Sequence, residues 1–166
     1  MMTDTPEKES QAIFEVLGEV KKLAKQYYRL TGKPLGITGE VAEFEAARIL
    51  GLELCSVRQA GYDAIRHTPE GDIQLQIKGR CTSAKAKPGQ RLGTIQLQKP
   101  WDAVLLVILD PDFEAREIWE ADREPITQAL MKPGSRARNE RGALAVVQFK
   151  RIGRLIWPPD DANSRG

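Results

Sequence analysis

The chain has 166 residues, 41% of them hydrophobic and 29% charged, with a net charge of +2. That length suits one domain with a real core, and such a charge does not by itself announce a nucleic-acid partner. Cys55 and Cys81 are too few and too far apart for a disulfide framework or a zinc site. The single histidine, His67, excludes most histidine-based metal sites and speaks against a histidine-dependent nucleophile triad.

The N-terminus is polar and acidic without an apolar signal-peptide core. The longest apolar run, 103–109, is far short of a membrane span. A soluble, reduced, cytoplasmic protein with no membrane partner is therefore expected. Residues 7–30 read as an amphipathic helix, with Ile13, Phe14, Leu17, Val20, Ala24 and Tyr27 at helical spacing, ended by Gly32 and Pro34. Thr38 is the expected N-cap of a second helix that reaches Leu50 and stops at Gly51. On a helical wheel, Glu43 points into the middle of that helix's apolar stripe, where an ionised carboxylate is costly unless paired or bound to metal. Glu40 flanks the stripe, and Glu45 falls on the polar, solvated side.

Strands are expected over 54–59, 62–66, 72–79, 103–109 and 114–120, the run at 103–109 being buried on both faces. His67 stands beside the turn sequence Thr68-Pro69-Glu70-Gly71 and reads as an exposed turn residue. Residues 122–131 form a short helix with Pro125 in its first turn. Residues 85–90 and 133–135 are loops, and Ser135 can cap a short basic helix through Arg141. Runs 146–149 and 152–157 fit strand or helix equally well. The expected organisation is one α/β domain over 1–158 with a central mixed sheet flanked by helices: an N-terminal helix (1–32), a core (38–120) and a basic C-terminal segment (132–157). Residues 159–166 form a tail.

Charge is unevenly placed. No acid occurs from Ile73 to Trp101, where Lys78, Arg80, Lys85, Lys87, Arg91 and Lys99 lie. From Lys132 to Arg154 seven Lys or Arg face only Glu140. Such clustering is what a phosphate backbone selects, although each stretch alone also reads as a solvated surface. On the strand at 72–79, Gln76 and Lys78 share a face, with Asp63 on the preceding strand. A carboxylate, an amide oxygen and an ammonium brought together across a hairpin can hold a hard cation beside a phosphate. Taken singly, Asp63 also reads as a turn aspartate after Gly61, and Gln76 and Lys78 as a solvated strand face. Asp72 is a weaker rival ligand with hairpin-turn chemistry.

The order helix-Glu, strand-Asp, then Gln-x-Lys resembles the PD-(D/E)XK, or restriction-endonuclease-like, nuclease superfamily. The pieces that carry it are Gly39-Glu40-x-x-Glu43-x-x-Ala46, Gly61-Tyr62-Asp63 and Gln76-Ile77-Lys78, within residues 38–80. Residues 135–142 are also similar to a segment of a small uncharacterised bacterial family with this core, and no role follows from that. The superfamily resemblance implies a restriction-endonuclease-like core and metal-dependent hydrolysis of DNA. Asp63 would be the principal ligand of Mg²⁺ or Mn²⁺, and Gln76 an oxygen ligand where the family more often has an acid. Lys78 would position water and stabilise charge on the phosphate, while Glu43 or Glu40 completes the metal shell. Arg80, Lys85, Lys87, Arg91, Arg136, Arg138 and Arg141 would hold the DNA backbone. RNA stays open as a substrate, and two strands needing two sites admits a homodimer by analogy. A catalytically silent nuclease fold serving as a DNA-binding or assembly module is the rival function.

Overall fold

The computed structural model describes residues 6–32, 35–55, 61–82, 89–132 and 143–159. Among these the order of elements is α1 (Pro6–Thr31), α2 (Thr38–Leu50), β1 (Glu53–Leu54), β2 (Ala64–Thr68), β3 (Gly71–Cys81), β4 (Ala103–Leu109), β5 (Ala115–Asp122), α3 (Arg123–Met131), α4 (Val146–Ile152) and β6 (Arg154–Trp157). The strands form one six-stranded sheet in the order β1-β2-β3-β4-β5-β6. Every neighbouring pair is antiparallel except β3 and β4, which run parallel. The chain is thus an α/β protein with a mixed sheet flanked by helices, consistent with a restriction-endonuclease-like core.

β4 organises the core. All seven of its residues are buried, as its unbroken Val/Ile/Leu run requires. Ala103, Leu105, Val107 and Leu109 join Leu75, Ile77, Ile118 and the apolar residues of α2 on one face. Val104, Leu106 and Ile108 pack on the other face against Leu92, Ile95 and Trp101 of the β3–β4 crossover, Ile126 and Leu130 of α3, and Phe149 of α4. No helix among the described residues is long and apolar enough to cross a membrane.

Several local expectations change. Ile37, not Thr38, is the N-cap residue of α2, and no side chain caps that end. The Thr38 hydroxyl lies instead 3.8 Å from the Cys81 sulfur. The strand expected at 54–59 is seen as β1 alone, residues 56–60 lying outside the described ones. β2 starts at Ala64, two residues later than expected, which leaves Asp63 just ahead of the strand. His67 is exposed as expected, but in β2 rather than in the turn, with its ring between Asp72 (2.6 Å) and Glu53 (2.5 Å). Glu45, expected in solvent, is fully buried, because α1 covers that side of α2. It accepts hydrogen bonds from Lys21 of α1 (3.0 Å) and Arg48 (2.9 Å). Burial alone would raise its carboxyl; these two bonds outweigh that and hold it below its ordinary range.

Gly79 fixes how closely α2 approaches the sheet. A Cβ at that position would lie 2.5 Å from the Ala42 Cβ and 2.8 Å from the Thr38 carbonyl oxygen, so only glycine lets the first turns of α2 rest on β3. We predict that Gly79→Ala destabilises the fold by about 1–3 kcal/mol by forcing helix and strand apart. Denaturant unfolding of the variant checks this, and an unchanged midpoint would contradict the contact.

Candidate functional site

The site begins where β2 stops short of β3. The two strands pair from Thr68↔Gly71 to Ala64↔Leu75, whereas β3 continues to Cys81. Beyond Leu75, β3 therefore has a free edge on that side among the described residues. Two side-chain bonds finish it. The Asp63 carboxylate accepts the Ile77 N–H at 2.7 Å, standing in for the missing strand partner. The Gln76 amide donates to the Gly61 carbonyl at 2.8 Å. Gly61 is required there: its φ is 118°, and a Cβ would come within 2.9 Å of Lys99 and Pro100.

This clasp leaves one conspicuous atom. Gln76 is only 6% exposed, and its side-chain oxygen is buried without a hydrogen-bond partner. Orphaned buried acceptors are costly and few in folded proteins, and an ion is one recognised reason for them.

Glu43 and Lys78 reach the same edge from different elements. Glu43 is half-buried on α2, and its carboxyl is pushed from its ordinary 4.5 up to about 7. Burial is the main cause, followed by repulsion from Asp63 and then Glu40, with Lys78 opposing them. The Lys78 ammonium is shifted down, first by burial, with Arg80 adding to the shift and Asp63 and Glu43 opposing it. Glu43 thus feels the charges of Asp63, Glu40 and Lys78, and Lys78 those of Asp63 and Glu43. Cys55 belongs to the same neighbourhood. Its N–H donates to the Asp63 carbonyl at 2.9 Å, and burial, then Glu53, Asp63 and Glu43, push its thiol up.

Of the sequence-derived site residues, the fold brings Asp63, Gln76, Lys78, Glu43 and the exposed Glu40 together. Asp72 is occupied with His67. Arg80 follows Lys78 on the same strand face, but its Nε donates to the Arg91 carbonyl and its Nη1 to the Gly79 carbonyl at 2.6 Å. Arg91 is exposed on the crossover. Lys85, Lys87, Arg136, Arg138 and Arg141 lie outside the described residues. Two other members of the C-terminal basic stretch are neutralised: Lys150 pairs with Glu117 (2.6 Å), and Arg154 pairs with Glu120 (2.7 Å). The Gly61 carbonyl and Cys55 were not singled out from the sequence, since nothing in a strand pattern marks them.

The donors suit a hard cation: carboxylates from Asp63 and Glu43 and a buried amide oxygen lacking a partner. Among the described residues no group of three or more His, Cys, Asp or Glu is placed to hold a metal ion. No family model matches the chain, and no curated protein is similar to it.

The raised carboxyl of Glu43 has a consequence for stability. A carboxyl that ionises at 4.5 unfolded and near 7 folded is most favourable to the native state at low pH. Stability is lost as pH climbs through that window, because the unfolded chain releases its proton first. Glu43→Gln should therefore raise the melting temperature above pH 7 and leave it unchanged below pH 4.5. Thermal scans of both proteins across this range test the assignment, and a pH-independent difference would refute it.

Proposed function

We propose that the chain is a divalent-metal-dependent nuclease that hydrolyses phosphodiester bonds in DNA. The observation that carries this reading is the convergence of Glu43 of α2, Asp63 ahead of β2 and Lys78 of β3 beside a buried, unpartnered Gln76 oxygen. This convergence fits the order of residues that resembles the PD-(D/E)XK superfamily.

Asp63 and Gln76 would hold Mg²⁺ or Mn²⁺, with Glu43 or Glu40 completing the set. When bound, the cation supplies Lewis-acid polarisation of the phosphate and a positive charge that eases ionisation of water. The clasp to Ile77 keeps one Asp63 oxygen on the backbone and leaves the rest of the carboxylate for this task. Repulsion between Glu43 and Asp63 is what a divalent cation relieves. Lys78 faces both acids, where an ammonium can orient water and stabilise charge growing on the phosphate oxygens. Arg80 and Arg91 border this edge, and Lys85, Lys87, Arg136, Arg138 and Arg141 would extend the contact to the DNA backbone. Two free cysteines and a cytosolic supply of Mg²⁺ and DNA go with a soluble, cytoplasmic protein. Cutting both strands of a duplex calls for two copies.

A silent DNA-binding module is the second reading. It is favoured by the Gln76 amide bound to Gly61 and by the lack of a three-acid group among the described residues.

Lys78→Ala should reduce Mg²⁺- or Mn²⁺-dependent cleavage by about 100-fold or more, since one stabiliser of the transition state is lost. Its circular dichroism should match wild type. Unchanged cleavage would remove Lys78 from the mechanism. Wild-type protein that binds DNA but cuts neither DNA nor RNA would establish the silent module instead.

Binding itself has a salt signature. Each phosphate neutralised contributes a slope of about −0.9 on a log–log plot for duplex DNA. Reversing Lys85 and Lys87 to Glu should flatten that slope and weaken binding to all duplex sequences alike. Salt-insensitive affinity measured by fluorescence anisotropy would show that the backbone is not what these residues meet.

A further inference from the structure

α1 carries two apolar stripes, and the domain uses one. Phe14, Leu17, Ala24 and Tyr28 turn inward, and Ala24 is fully buried. Ile13, Val16, Val20, Leu23, Tyr27 and Leu30 form a second stripe about 110° round the helix. Their spacing alternates three and four residues without a break from 13 to 30. Val16 and Leu23 are each 61% exposed and Leu30 is 78% exposed, with Ile13 and Tyr27 at 40% and Val20 half-buried, so the domain leaves most of this seam uncovered. An apolar repeat of 3.5 residues is the signature of a helix that packs lengthwise on another helix.

Charge selects the partner. Residues 7–19 contain Glu7, Glu9, Glu15 and Glu19 against Lys8, whereas residues 20–31 contain Lys21, Lys22, Lys25 and Arg29 and no acid. A helix acidic in one half and basic in the other complements an antiparallel copy of itself. Glu15, Glu19, Lys22, Gln26 and Arg29 form one row flanking the seam, and in an antiparallel pair like flanks face each other. With Val20 opposite Leu23, Ile13 meets Leu30 and Val16 meets Tyr27. Glu15 then lies beside Arg29 of the second copy, and Glu19 beside its Lys22. A parallel pair would set acid against acid. Within one copy Lys21 and Lys25 are taken by Glu45 and Glu114. The charges of the flanking row make only exposed contacts, Glu15 with Gln11 at 3.3 Å, Lys22 with Glu19 at 2.8 Å and Arg29 with Asp112 at 3.6 Å, all easily exchanged.

We infer that α1 is a dimerisation helix, joining two copies of this chain through an antiparallel seam of Ile13, Val16, Val20, Leu23, Tyr27 and Leu30. The inference does not rest on the nuclease reading. The seam is short, about 27 Å over eighteen residues, which places it among small interfaces of weak, reversible association.

Sedimentation equilibrium of the full chain between about 1 and 300 µM should show a monomer–dimer equilibrium in that range. Leu23→Glu should weaken it by about 100-fold, since a charge would be buried in the seam, with circular dichroism unchanged because Leu23 is exposed. Copies carrying Ile13→Cys, mixed with copies carrying Leu30→Cys, should cross-link 13 to 30 on oxidation. A wild-type chain that stays monomeric at every concentration overturns the inference, as does a dimer indifferent to Leu23→Glu. Links of 13 to 13 overturn the antiparallel arrangement. A monomer that instead sediments with vesicles of phosphatidylcholine and phosphatidylserine, and loses this on Leu23→Glu, assigns the stripe to a lipid surface and overturns it too.

Discussion

The bond from the Ile77 N–H to the Asp63 carboxylate is the contact on which the candidate site depends, because it settles where the sheet stops. β2 gives up its pairing with β3 at Leu75, and a bare edge strand would leave unpaired backbone groups open to any passing strand. The carboxylate satisfies the first of them at 2.7 Å with a charge-assisted bond. The same interruption lets a residue from α2, on one face of the sheet, and Lys78, on the other, meet around the edge. An intact ladder would separate them. Gly61 and Gly79 serve this arrangement from either side, the first turning the chain into Asp63 and the second seating α2 on β3.

Glu45 and Glu120 are buried and Glu43 is half-buried, and the three are treated differently. Glu45 is held by Lys21 and Arg48, and Glu120 by Arg66 and Arg154, so each buried charge has two basic partners. Glu43 is pushed up by burial and by two further acids, Asp63 and Glu40, against Lys78, and its carboxyl rises to about 7 where that of Glu45 falls. A fold that compensates two acids so completely contains the basic residues to compensate a third. Leaving Glu43 among Asp63 and Glu40 costs native stability at neutral pH, and arrangements of that kind concentrate where a ligand supplies the missing charge.

Much of this was legible in the residues. Helical periodicity located α1 and α2 to within a residue or so, and the unbroken apolar run located β4 without error. These signals are strong because one physical requirement, burial of a face, dictates each pattern. Glu45 was misplaced for a related reason. A helical wheel assumes one buried face, while α2 is enclosed by the sheet on one side and by α1 on the other. The start of β2 was off by two residues because the ladder ends at Ala64↔Leu75 and the Asp63 carboxylate, not a strand backbone, takes the Ile77 N–H beyond it, a choice that propensity does not encode. The pairing of Lys150 and Arg154 with acids of β5 joins residues more than thirty positions apart, and no local rule reaches that far.

Those pairings bear on how much positive charge is left for a polyanion. Lys150 and Arg154 are answered by Glu117 and Glu120, and Arg80 donates to two backbone carbonyls, with burial depressing its guanidinium. Near the edge of β3, Arg91 and Lys99 pair with no acid among the described residues, and Lys78 faces the carboxylates. Among the described residues, few uncommitted cations therefore lie near this edge. With few contacts, each copy alone would hold DNA weakly and lose it readily in salt. Joining two copies makes the second set of contacts intramolecular, so that affinity rises without any new residue touching the phosphates. On the proposed nuclease reading, the exposed seam on α1 would thus supply by pairing what the described basic residues of one copy do not supply alone.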